Sequence, residues 1–84
     1  MDNKDKNLVN ARRLLCPMPV IRTQNAIEEL KPGDELKVIC TDPGTLHDIP
    51  SWCRINGHEV KEVEEEKISG MREITFTICV GETN

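Results

Sequence analysis

Eighty-four residues suffice for one compact domain and are too few for two, so lids, deep clefts and large cofactor pockets are not expected. The formal net charge of -4, with Trp52 and Phe76 as the only aromatics, excludes the basic footprint and stacking platforms of a direct nucleic-acid binder. No apolar run approaches the roughly 20 residues that cross a bilayer, and none follows the polar start MDNKDKN; a cytosolic setting without a membrane span is therefore expected.

Residues 8–14 mix polar and apolar side chains as a short strand tolerates, until Pro17 and Pro19 stop it. Residues 17–30 read as a helix, with Val20, Thr23, Ile27 and Leu30 on one stripe. Both prolines fit its first turn, where backbone N–H groups lack helical partners in any case. Lys31-Pro32-Gly33-Asp34 is a stop and a turn. Residues 35–41 alternate as a strand, with Leu36, Val38 and Cys40 on one face.

Asp42-Pro43-Gly44 ends that strand. Residues 45–56 suggest a second helix carrying Leu46, Ile49 and Cys53 on one side. Pro50 disfavours an early start, so the regular helix is expected to begin at Asp48 as N-cap, and Asn56-Gly57 closes it. Residues 58–67 form a charged edge strand whose Val60 and Val63 break strict alternation, which predicts a bulge. Ser69-Gly70 turns the chain into a last strand, 71–80, with Ile74, Phe76, Ile78 and Val80 on one face.

The order is β-α-β-α-β-β. A strand–helix–strand start implies a parallel pair, and the short final turn an antiparallel one. The expected fold is a single α/β (α+β) domain over residues 8–81, a two-layer sandwich of a four-stranded mixed sheet with two helices on one face. Residues 1–7 and 82–84 are expected to be flexible termini, and the free protein a monomer.

Cysteines stand at 16, 40, 53 and 79. No Cys-x-x-Cys pair occurs and neither His47 nor His58 has ligand spacing to a cysteine, so no metal and no cofactor are expected. Cys40 and Cys53 read as core, Cys79 as a residue of the sheet's open face, and the two histidines as solvated surface groups. Cys16 is different: it lies where a strand gives way to a helix. The positive end of a helix favours an anion, which lowers a thiol below its usual value of about 8.5. Pro17 and Pro19 stiffen that first turn and remove two N–H donors. The bland alternative is a cysteine packed as a small hydrophobe. No Ser/His/Asp set, carboxylate dyad or phosphate loop accompanies it. One activated thiol without a base describes a carrier of a chemical group better than a stand-alone catalyst. Two other readings remain: a thiol redox protein that pairs Cys16 with Cys53 or Cys40, and a non-catalytic interaction module.

Cys16-Pro17-Met18-Pro19, Lys31-Pro32-Gly33, Asp42-Pro43-Gly44-Thr45 and Asp48-Ile49-Pro50 with Trp52-Cys53 follow one another in order. In this the chain resembles the TusA/SirA-like family of sulfur carriers, from about residue 10 to residue 60 and again over the final strand. The resemblance implies the same β-α-β-α-β-β sandwich and a sulfurtransferase-type carrier. It implies a persulfide on Cys16, a cysteine desulfurase as donor and a downstream sulfur-relay protein as acceptor. The 42–53 stretch is most similar to the branch serving 2-thiolation of tRNA wobble uridine; related branches serve sulfur oxidation or molybdenum-cofactor assembly. Family members often carry Asp and Gly where Asn10 and Arg13 stand here, and Glu where Met18 stands; these departures surround the sulfur position and bear on partner choice. By proximity, Met18, Arg22 and Asp42 are expected to meet the partner.

Overall fold

The computed structural model describes residues 7–15 and 17–81. Strand β1 (Leu8–Ala11), helix α1 (Met18–Ile27), strand β2 (Glu35–Cys40), helix α2 (Thr45–Ile55) and strands β3 (Glu59–Ile68) and β4 (Met71–Cys79) follow in that order. The sheet order is β1-β2-β4-β3. β1 pairs with β2 in parallel, and β4 pairs antiparallel with both β2 and β3. This is the mixed two-layer α+β sandwich expected from the pattern.

One face of the sheet supplies the core. Ala11, Leu36, Val38, Cys40, Ile74, Phe76 and Ile78 are buried beneath Ile27, Ile49 and Cys53 of the two helices. The alternation in β2 and β4 places these residues, two apart, on the covered face. In β3 the pairing shifts register between Val60 and Glu62. That bulge brings Val60 opposite Ile78 and Val63 opposite Phe76, so the three-residue spacing returns both valines to one face.

The turns follow from local chemistry. Ser69 and Gly70 both have positive φ, 53° and 79°, the geometry of a two-residue hairpin whose twist matches its strands. Gly33 has φ 96° after Pro32, the pairing a type II turn favours. This loop is stitched to the end of β4: Gly33 N–H donates to the Val80 carbonyl and Val80 N–H to that of Asp34, both at 2.8 Å.

Several local expectations need correction, among them the end of α1, which stops at Ile27 and not at residue 30. β1 ends at Ala11 rather than residue 14, because the chain turns at Arg12-Arg13. α2 starts at Thr45, not Asp48, and runs through Pro50. The Asp42 carbonyl fixes that early start by accepting from both the Thr45 N–H at 3.0 Å and its hydroxyl at 2.7 Å. His58 is not a solvated group but is buried, 7% exposed, and stacked on Trp52. At the amino end, Asn7 is tied to the sheet: its Nδ2 donates to the Glu35 carbonyl at 2.8 Å.

Candidate functional site

Cys16 lies outside the described residues, so the site is defined by the chain on either side of it. β1 ends in a tight turn in which Leu14 N–H donates to the Ala11 carbonyl at 3.3 Å. Arg13, the third residue of that turn, has φ 68°. A left-handed residue at this place is the mark of a type II turn and ordinarily calls for glycine or asparagine. Two bonds hold the strained conformation. Asn10 Oδ1 accepts the Arg12 N–H at 3.2 Å, and Thr41 Oγ1, just past β2, accepts the Arg13 N–H at 2.8 Å. Asn10 thus supplies a side-chain oxygen to this turn, as an Asp at the same position could. Arg13 keeps the backbone that a Gly would adopt freely.

After the turn, Leu14 packs on the core and Leu15 points out, 73% exposed. Met18 N–H donates to the Leu15 carbonyl at 2.8 Å, and Ile21 N–H to that of Pro17 at 3.1 Å. α1 therefore begins directly after position 16. Pro17 is its N-cap, Pro19 falls in its first turn, no side chain among the described residues caps it, and its first turn holds no acid. The positive end of this helix is thus left without a compensating carboxylate of its own turn. Pro19 is buried and its carbonyl accepts the buried Thr23 hydroxyl at 2.8 Å, which anchors the helix start from below.

The exposed side chains here are apolar and cationic. Leu15, Met18 and Ile21 are large exposed hydrophobics, and Arg13 and Arg22 are exposed beside them in the chain. Arg12 is occupied: its guanidinium makes a two-pronged bond to Glu73, at 2.7 and 3.3 Å. Met18 and Arg22 stand one turn apart on α1. Asp42 is half-buried and its Oδ1 accepts the Gly44 N–H at 3.0 Å, so this carboxylate also shapes the entry to α2. The Arg13–Thr41 bond places the two loops side by side. Sequence reasoning missed Thr41, since nothing local marks a threonine as the acceptor for a loop 28 residues earlier.

The other thiols are unsuited to attack. Cys40 and Cys53 are buried. Burial pushes each thiol up to about 11; at Cys40, Asp42 adds to the rise and a hydrogen bond with Thr45 opposes it. Both stay protonated at neutral pH. Cys79 is half-buried, on the face opposite Ile78.

Comparison with known proteins agrees with this geometry. The family model Sulfurtransferase TusA matches residues 7–80. The sulfur carrier protein TusA of Pseudomonas aeruginosa is 48% identical over 59 residues, covering 70% of this chain and 75% of its own. A putative sulfur carrier protein of Bacillus subtilis, YrkI, is 38% identical over 63 residues, 75% and 84% of the two chains. The crystal structure of a SirA-like protein from Desulfitobacterium hafniense superposes with a TM-score of 0.62 at 25% identity, covering 89% of this chain and 97% of that one. No helix among the described residues is long and apolar enough to cross a membrane. With its motif loop, its fold and nearly its whole length accounted for, the chain belongs to the TusA sulfurtransferase family of sulfur carriers.

Proposed function

We propose that residues 8–81 act as one cytoplasmic carrier unit, monomeric when free, that accepts sulfane sulfur from a cysteine desulfurase as a persulfide on Cys16. It then passes that sulfur to the next protein of a relay. The observation that carries this reading is the start of α1: Pro17, Met18 and Pro19 open a helix whose first turn has no acid and, among the described residues, no side-chain cap. A thiolate or persulfide anion at such a place gains from the helix field. Met18 and Arg22, with Asp42 beside the loop, form the rim that a partner covers.

The burial of Cys40 and Cys53 favours a carrier over a dithiol redox protein, because neither thiol is accessible as a resolving partner. For the end of the relay, the 42–53 stretch favours 2-thiolation of tRNA wobble uridine over sulfur oxidation or molybdenum-cofactor assembly. No direct contact with RNA is required of an acidic chain.

Intact mass after incubation with a desulfurase and cysteine tests the first claim. One added sulfur atom, removed by reductant and absent in Cys16→Ser, is expected. Failure to load the wild-type protein, or equal loading of Cys16→Ser, overturns it. Nucleoside analysis of tRNA from a deletion strain tests the pathway: unchanged 2-thiouridine removes the tRNA assignment.

A further inference from the structure

Among the described residues, two that are not glycine have positive φ. Ser69 needs it, because both central residues of its two-residue hairpin turn are left-handed. Arg13 has no such excuse: a type II turn asks for this backbone, but glycine or asparagine would meet it with less strain. A long cationic side chain is held there by two hydrogen bonds that fix the loop, Arg12 N–H to Asn10 and Arg13 N–H to Thr41. Strain maintained by surrounding structure tends to occur where function uses the residue.

The side chain supports this. Arg12, its neighbour in the turn, is bound to Glu73, while Arg22 on α1, like Arg13, has no ion pair among the described residues. The Arg13 guanidinium is exposed, and it makes no hydrogen bond or ion pair among the described residues. On a chain of net charge -4, a cation not neutralised by its own protein, in the loop leading to position 16, is suited to a carboxylate from outside.

We propose that Arg13 is a specificity-determining residue of the transfer site, whose guanidinium engages an acidic surface of the sulfur-exchanging partner protein. This rests on the reading of Cys16 as the sulfur site. Arg13 precedes position 16 by three residues in the segment that joins β1 to α1, so the donor serves as the test partner. A charge at the edge of such an interface governs encounter and its salt dependence more than the chemical step.

Arg13→Gly makes a distinctive test because it removes the charge and relieves the backbone together. Wild type and Cys16→Ser are first compared for sulfur loading by a cysteine desulfurase, so that failure of the Cys16 reading is seen separately. Desulfurase kinetics then follow with Arg13→Gly, Arg13→Asn and Arg13→Lys. For Gly and Asn, KM for the carrier is expected to rise about five-fold with kcat unchanged, and its salt dependence to flatten. Tm is expected to rise by about 3 °C. Arg13→Lys should stay within about two-fold of wild type. Unchanged KM and salt dependence in Arg13→Gly overturn the proposal, as does a fall in kcat at constant KM. A lower Tm in both Arg13→Gly and Arg13→Asn overturns the argument from strain.

Discussion

His58 accepts, through Nδ1, a hydrogen bond of 2.9 Å from the backbone N–H of Gly81. The acceptor must be an unprotonated nitrogen, so the folded protein holds the neutral imidazole with its other nitrogen protonated. The ring is also stacked on Trp52, with centroids 5.4 Å apart, and the His58 backbone N–H donates to the Cys53 carbonyl at 2.8 Å. It lines a shallow cleft with Gln24, Glu28, Trp52 and Asn56. The sheet's last residues are thereby tied to the end of α2.

Acidification should weaken this tie. Burial lowers the His58 pKa from its ordinary value of 6.5, even with Glu28 in the same cleft. The unfolded chain therefore takes up its proton first as pH falls. The contribution of His58 is present above about 6.5 and is lost between there and the lower folded value. Trp52 is the only tryptophan, so its fluorescence reports the site. Urea midpoints should fall below pH 6.5 with a change in Trp52 emission, and His58→Gln should flatten that limb. An unaltered acid limb in His58→Gln would contradict the assignment.

The approach of Gly81 to the chain before His58 is close enough to exclude any side chain. A Cβ at residue 81 would run into the backbone carbonyl of Gly57. Gly81→Ala should lose about 2 kcal/mol in urea denaturation, as expected for forced backbone displacement. Sulfur loading at temperatures where the variant is folded should be unchanged.

Cys40 and Cys53 set the alkaline limit. Their thiols are raised from 9.0 to about 11 by burial. The unfolded chain then releases protons first, so this stabilisation is complete below about 9 and disappears as pH climbs toward 11. At pH 7 iodoacetamide should leave both residues unmodified in the folded protein and label them in urea. Peptide mapping reads the result. Rapid labelling of either under native conditions would reopen the dithiol alternative.

Thr41 is predicted to matter for transfer despite carrying no chemistry of its own. Thr41→Val removes the acceptor for the Arg13 N–H and should lower stability by about 1 kcal/mol. It should also slow sulfur loading by roughly two- to five-fold, through loss of loop placement. Thr41→Ser keeps the hydroxyl and should behave as wild type. Equal loading rates for Val and Ser would confine the bond to a structural role.

Where neighbours in sequence decide the outcome, the reading succeeded. Leu36, Val38 and Cys40 share the buried face. The interval between Val60 and Val63 announced the bulge. Pro17, Met18 and Pro19 do open a helix. It failed where distant groups compete. Asp48 looked like a cap, but the Asp42 carbonyl starts α2 three residues earlier. His58 looked solvated because its partners, Trp52 and Gly81, come from α2 and from the end of β4. The strain at Arg13 was signalled only as a departure from a motif; its physical content, a left-handed arginine held by Asn10 and Thr41, required the fold.

The parallel pairing of β1 with β2 has a further consequence. Asn7 is bonded to Glu35 at the start of β2, and Val80 is bonded to Asp34 beside it. Ala11, from which the chain turns toward position 16, lies opposite Cys40 at the other end of that strand. The six residues of β2 separate the two ends by about 17 Å. A support or fusion attached through residue 7 or residue 81 would hold the protein like a torch gripped at its base, with the proposed transfer end facing outward.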